Sequence, residues 1–312
     1  MAALTSSDYA AVSDGTKIYL YYQNGASQIL EVTSSDGSSW TESPNPVADK
    51  LNPAGSPITA YYVANDGAEG NKPSIHLFFI DASGILHEKV KSLPHGTSWK
   101  DKEFASQIEK SPATTSRLSS GICHDGPKPA HQWLFFEEFN TATGVTEISE
   151  LRCGDDSGFQ WRYRKGLSEG AATALPGTQL ATNLTDTTTH LFFQRHDGEI
   201  FEYLGSYDKW HSQKPILKSG EVEISTPLAA ISSKATDKPY LFYVTKTSPY
   251  EVMAYTDGTK TKVGLYVPGT KLGAVSFGGK IYLFQKPLDH PASVWTRVYD
   301  GNSWKLGSKV VE

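Results

Sequence analysis

Two histidines stand at one fixed distance from a glutamate: His76 precedes Glu88, and His190 precedes Glu202, by 12 residues, and Tyr19 precedes Glu31 by the same interval. That interval suits facing positions on a β-hairpin. A carboxylate beside an imidazole raises its pKa and fixes its tautomer, which is the arrangement of a general acid or base. A histidine satisfied by a nearby glutamate is also an ordinary structural pair, so both roles stand open for His76 and His190. His87 adjoins Glu88 in sequence and points to the opposite face by strand alternation, so it is the weaker candidate. At the register of the two histidines, other parts of the chain carry Tyr19, Trp133, Tyr240 and Tyr282. These supply apolar ring area with a single polar tip, the makings of a site for an aromatic or apolar ligand.

The elements that must position these residues recur. An aromatic or His followed by Leu and further aromatics appears at Tyr19, His76, Trp133, His190, Tyr240 and Tyr282, at intervals of 57, 57, 57, 50 and 42 residues. Each copy follows a strand of small residues, such as Ala10-Ala11 or Gly273-Ala274, and precedes a turn such as Asn24-Gly25, Ser83-Gly84 or Asp197-Gly198. A third strand follows, with Glu31, Glu88, Glu150 and Glu202 at one register and Ala254 and Thr296 at the same place in the last two copies. A fourth strand is marked by Trp40, Trp99, Trp161, Trp210 and Trp304, and the fifth copy, near Lys260 to Val263, lacks the Trp. Those tryptophans read first as packing anchors between repeats. Short strands at a period of roughly 40 to 60 residues predict an all-β six-bladed β-propeller with blades of about four antiparallel strands, because one small sheet cannot bury both faces alone. Residues 1–312 read as a single β-propeller domain.

Composition narrows the partners. The net charge is −5 and the 29 Lys and Arg are scattered, so neither a nucleic-acid footprint nor a membrane-binding patch is visible. No apolar run is long enough to span a bilayer, and the polar start predicts an intracellular, cytoplasmic protein. Cys123 and Cys153 then read first as inert, partly buried thiols, with a disulfide between them left open. The nine His residues form no zinc spacing. His124-Asp125-Gly126 and Arg195-His196-Asp197-Gly198 read as turns. Glu137 and Glu138 point to opposite faces of a strand and cannot act on one bond. Asn183-Leu184-Thr185 fits a glycosylation acceptor only in a secreted chain.

Strand–turn–strand repeats of this length, with Glu on the third strand and Trp on the fourth, resemble the fungal fucose-specific lectins, six-bladed propellers that hold fucose between blades. In that family the second strand carries Arg, a hydrophobe, aromatics and Gln, and the Arg works with the third-strand Glu and an aromatic from a neighbouring blade. Gln23 and Gln194 fix the register here, which puts Tyr19, His76, Trp133, His190, Tyr240 and Tyr282 at the Arg position. A guanidinium offers a fork of donors where His offers at most two and Tyr one, so ordinary fucose recognition is not expected. The chain is similar in this respect to the fungal hetero-Diels–Alderases of tropolone-sesquiterpenoid biosynthesis. That resemblance implies a cofactor-free enzyme, requiring no metal, that joins a tropolone quinone methide to a humulene-type sesquiterpene. His76 and His190 would be the acid–base pair, and Tyr19, Trp133, Tyr240, Tyr282, Glu31, Glu88 and Glu202 would line the substrates. The rivals are a divergent lectin for fucose or another glycan, using Glu31, Glu88, Glu150, Glu202 and the tryptophans, and a ring that scaffolds protein contacts. A homodimer stays open.

Overall fold

The computed structural model describes the whole chain except residues 1, 94–97, 105–110, 124–130, 143, 155–156, 165–166, 168–173, 186–187, 207–208 and 234–237. The turn expected at His124-Asp125-Gly126 lies outside the described residues. Six four-stranded antiparallel sheets, each made from consecutive strands, give the six-bladed β-propeller. Blade 1 holds β1 (Tyr9–Ser13), β2 (Ile18–Gln23), β3 (Ile29–Ser34) and β4 (Thr41–Glu42). Blade 2 holds β5 (Ile58–Asp66), β6 (Lys72–Ile80), β7 (Leu86–Ser92) and β8 (Lys100–Lys102). Blade 3 holds β9 (Leu118–Cys123), β10 (His131–Asn140), β11 (Val145–Cys153) and β12 (Arg162–Arg164). Blade 4 holds β13 (Ala181–Leu184), β14 (Thr189–Gln194), β15 (Ile200–Gly205) and β16 (Trp210–Leu217). Blade 5 holds β17 (Ala229–Ser233), β18 (Lys238–Val244), β19 (Glu251–Thr256) and β20 (Thr259–Leu265). Blade 6 holds β21 (Gly273–Phe277), β22 (Lys280–Gln285), β23 (Val294–Tyr299) and β24 (Trp304–Val311). Two compact units divide the chain: Met1–Ile58 with Gly220–Glu312, and Thr59–Ser219.

Burial explains the strand types. The second strands are buried along their length, as in β2, because both sheet faces are covered, and they read as continuous apolar runs. The outermost strands β16 and β20 are largely exposed and carry polar side chains and lysines, which blunt an open edge. Small residues on the first strands let neighbours approach closely. A Cβ on Gly273 would lie 2.7 Å from the Tyr9 carbonyl oxygen, and one on Gly121 would lie 2.7 Å from Leu184. Within the second unit the first strands are also laced by hydroxyls, Thr59 to Ser120 at 2.8 Å and Ser119 to Thr182 at 2.9 Å. The terminal segments meet as the repeat pattern requires: the Ala3 N–H donates to the Glu312 carbonyl at 2.8 Å.

A second recurring device ties each blade to its own lead-in turn. The backbone N–H groups of Gln23, Glu137, Gln194 and Val244 donate to the hydroxyls of Ser7, Ser116, Thr178 and Thr226 at 2.7–2.9 Å. All four hydroxyl residues are buried and stand two or three positions before the small-residue strand. The side chain at the same register binds the chain that runs on to another blade. Gln23 accepts from the Ser56 N–H and donates to the Asn52 carbonyl, and the Lys286 ammonium donates to the Ala3 carbonyl. Glu137 accepts the Gly177 N–H at 3.1 Å.

Burial pushes the Glu137 carboxyl from about 4.5 to about 8, against the pull of the N–H groups of Gly177, Arg117 and Thr178 and the Arg117 charge. Between those two pH values the folded chain holds a proton that the unfolded chain has released, so this contribution to stability falls as pH rises through the window. Glu137→Gln, which restores the residue type of Gln23 and Gln194, is expected to flatten that slope and raise the melting temperature by several degrees at the alkaline end. Calorimetry of both proteins across the window checks this, and parallel curves would contradict it.

Candidate functional site

The register of the hairpins corrects the spacing argument. Cα partners place Glu88 opposite Phe78, Glu150 opposite Phe135, Glu202 opposite Phe192 and Glu31 opposite Tyr21. The directly opposed partners of Tyr19, His76 and His190 are Thr33, Val90 and Leu204. Residues 12 apart are therefore diagonal neighbours on one face, which long side chains still bridge. The Tyr19 hydroxyl donates to Asp14 at 2.9 Å, and the Tyr21 hydroxyl donates to Glu31 at 3.1 Å.

His76 does reach Glu88, and its site is closed. Nδ1 lies 2.7 Å from Glu88 Oε1 and Nε2 lies 2.7 Å from Asp66 Oδ2. Ser74 donates to the same Asp66 oxygen at 2.6 Å, and Gln132 Nε2 donates to the other at 3.0 Å. Tyr61 donates to Gln132 Oε1 at 2.6 Å and stacks on the imidazole at 5.0 Å, while Trp161 Nε1 donates to Glu88 Oε2 at 3.0 Å. The side chains of His76, Asp66 and Glu88 are 2%, 0% and 5% exposed, so no ring nitrogen faces a ligand. Burial works against the imidazolium, but the hydrogen bonds to Asp66 and Glu88 outweigh it and raise the pKa to about 9. Asp66 escaped the sequence reading because β5 runs on past the small-residue segment, delivering a carboxylate ten positions upstream of the histidine.

His190 sits in a more open version. Nδ1 lies 2.8 Å from Glu202 Oε1, and Lys214 on β16 binds Glu202 Oε2 at 3.0 Å. The His190 and Lys214 side chains are 14% and 62% exposed. Burial opposes ionisation of Glu202, yet the His190 and Lys214 hydrogen bonds hold its carboxyl below the ordinary range. Trp133 is fully buried, with the Arg152 guanidinium 4.1 Å from its ring centroid. Arg152 is the cross-strand partner of Trp133, and its Nε donates to Glu150. A guanidinium thus stands beside the third-strand Glu of blade 3, supplied from β11 instead of β10, a placement that reading along the second strands alone could not find.

The tryptophans behave as anchors. Trp161, Trp210, Trp304 and Trp40 pack edge-on against Phe78, Phe135, Phe242 and Phe284, with centroids 5.5–6.0 Å apart. Trp210 Nε1 donates to Glu150 at 2.8 Å, repeating the Trp161 bond to Glu88. Tyr240 and Tyr282 are buried and stand in blades whose third strands carry Ala254 and Thr296, so neither has a Glu at the register of Glu88 and Glu202. Cys123 and Cys153 are buried thiols on β9 and β11, with β10 between them. Two strand spacings separate them by roughly 10 Å, too far for a disulfide. Among the described residues no group of three or more His, Cys, Asp or Glu is disposed to hold a metal ion, and no helix is long and apolar enough to cross a membrane.

No family model and no curated protein sequence matches the chain. Solved structures do. A lectin from Aleuria aurantia in complex with α-methyl-L-fucoside superposes with a TM-score of 0.75 at 19% identity, covering 99% of this chain and 96% of that one. The AofleA protein of Arthrobotrys oligospora gives 0.77 at 17% identity over 99% and 88%. The SapL1 lectin in complex with α-methyl fucoside gives 0.74 at 17% identity over 99% and 97%. At such identities the likeness defines the fold, that of the fungal fucose-lectin propellers.

Removing one partner of the Asp66–His76–Glu88 cluster leaves a buried charge uncompensated, which costs about 3–5 kcal/mol. Asp66→Ala and His76→Ala are each expected to destabilise the protein by that order in denaturant titrations, and a loss well below 1 kcal/mol would contradict the burial seen here. The folded pKa of His76 is raised, from 6.5 to about 9. Its contribution is therefore complete below the lower value and lost as pH rises through the upper one. Wild-type unfolding free energy should fall across that window more steeply than that of His76→Gln.

Proposed function

We propose that the chain is a lectin-type binding propeller that recognises a hydroxyl-rich ligand of the glycan class through the His190–Glu202–Lys214 cluster on blade 4. One observation carries this reading: a solvent-accessible imidazole and ammonium flank one ionised carboxylate, within reach of neighbouring hydroxyls on a ligand. The carboxylate accepts from sugar hydroxyls while the imidazole and the ammonium donate to their oxygens. The fold of the superposed fucoside complexes supports the glycan class. The closed His76 cluster and the six second-strand positions without Arg argue that fucose is not held in the way of those lectins.

A second reading is favoured by a separate feature of the same cluster. His190 is held through Nδ1 by Glu202, and its Nε2 has no hydrogen-bond partner among the described residues. An imidazole oriented through one nitrogen and free at the other is suited to general acid–base work. This supports the cofactor-free hetero-Diels–Alderase activity, in which His190 assists dehydration of a hydroxymethyl tropolone and the protein positions the resulting quinone methide against a humulene-type alkene. In the closed site, His76 has no comparable nitrogen.

A glycan array probed with the purified protein tests the first reading. Binding to a defined glycan, weakened by roughly thirtyfold in Lys214→Ala or Glu202→Gln, is the expected result, since a hydrogen bond to a charged group contributes about 2 kcal/mol. A folded protein that binds no glycan but accelerates formation of one adduct stereoisomer from the tropolone and humulene, with the acceleration lost in His190→Ala, would replace it with the second.

A further inference from the structure

The anchor tryptophans differ in what receives their indole N–H. Trp161 and Trp210 donate to Glu88 and Glu150 on the third strand of the preceding blade. Trp40 faces a blade with Thr296 at that position and donates instead to Ser308 Oγ at 2.9 Å. Trp304 faces blade 5, where the position is Ala254, the cross-strand partner of Phe242. Its ring packs on Phe242 at 5.5 Å and 88°, the geometry of Trp161 on Phe78 at 5.5 Å and 89°. The ring has therefore not moved to find another acceptor. Among the described residues, Trp304 Nε1 is buried with no hydrogen-bond partner.

A second donor on the same face of blade 6 is also unused. Arg297 lies two residues before Tyr299 on β23, so both side chains face blade 5. Its guanidinium rests against Gly264 on β20, where an added Cβ would come within 2.8 Å of Nε. Arg297 makes no hydrogen bond or ion pair among the described residues, and its Nε is buried and unpartnered. Aromatic rings complete the surroundings. Tyr299 lies 5.2 Å from Trp304 and 6.0 Å from Tyr240, and Tyr240 lies 6.5 Å from Phe242.

We propose that the space between blades 5 and 6 left by Ala254 is a binding pocket for a small aromatic carboxylate, whose carboxylate takes the place of the missing third-strand Glu. It accepts from Trp304 Nε1 and from the Arg297 guanidinium, and its ring packs among Tyr240, Phe242 and Tyr299. An orphaned donor beside a vacated carboxylate position calls for an anionic acceptor, and a guanidinium is the side chain best suited to receive one. The surrounding rings supply the apolar contact that selects an aromatic body. The pocket goes beyond glycan recognition at His190 and does not depend on it, since none of its residues belongs to that cluster.

Titration calorimetry with benzoate tests the proposal directly. Saturable binding of one benzoate per chain is expected, with benzyl alcohol, which keeps the ring and lacks the carboxylate, weaker by on the order of tenfold or more. Ala254→Glu supplies the carboxylate from within and should abolish benzoate binding while raising the melting temperature. Arg297→Met should weaken binding with the fold intact by circular dichroism. No benzoate binding by the wild-type protein would overturn the proposal. So would equal binding by a folded Ala254→Glu variant, which would place benzoate elsewhere.

Discussion

Contacts between neighbouring blades within each unit turn on one interaction, the edge of a tryptophan from one blade set against the central phenylalanine of the preceding one. It recurs four times, at Trp161, Trp210, Trp304 and Trp40, with ring separations spanning only half an ångström. Edge-to-face pairs add about 0.5–1.5 kcal/mol beyond the area they bury, and they fix an angle as well as a distance. The fixed ring leaves its N–H aimed at one place, the third-strand residue of the neighbouring blade. What meets that N–H differs from blade to blade: Glu88 in blade 2, Glu150 in blade 3, Ser308 beside Thr296 in blade 6, and Ala254, which offers no acceptor, in blade 5.

Glutamate at that place can be closed in or left partly exposed, and its neighbours decide which. In blade 2 the extended β5 brings Asp66 against the far side of His76, so every donor and acceptor in the cluster is used internally. In blade 4 the corresponding pair is met by Lys214 from the exposed outer strand, and water reaches the cluster. The same two residue types at the same spacing thus give a buried clasp in one blade and a more exposed cluster in another. The difference lies in strands that neither residue belongs to. A guanidinium has also returned in blade 3, where Arg152 lies over the Trp133 ring and bonds Glu150.

Much of this was legible in the chain itself. The aromatic second strands, the small first strands and the tryptophan of the fourth strand carry periodic signals, because each is set by packing that repeats from blade to blade. The six sheets follow those signals strand by strand. Reading the 12-residue interval as directly facing positions failed by one dipeptide step, since the hairpin length fixes which residues share a face but not which pair is opposed. Asp66, Gln132 and Arg152 could not be found from their own repeats, because each enters its cluster from a strand other than the one that carries the histidine or tryptophan it contacts. The buried hydroxyls of Ser7, Ser116, Thr178 and Thr226 did carry a signal, a Ser or Thr two or three residues before each small strand. Ser56 and Thr270 hold the same place before β5 and β21, so that marker extends through all six repeats.

The account rests on the tryptophan N–H and the third-strand carboxylate acting as one structural unit. A double-mutant cycle on folding stability with Trp161→Phe and Glu88→Gln measures this directly, since the first change keeps a ring and removes the N–H. A coupling free energy of about 1 kcal/mol or more is predicted for a buried hydrogen bond to a carboxylate. Effects that add to within about 0.3 kcal/mol would show the two residues to be independent and would contradict the account.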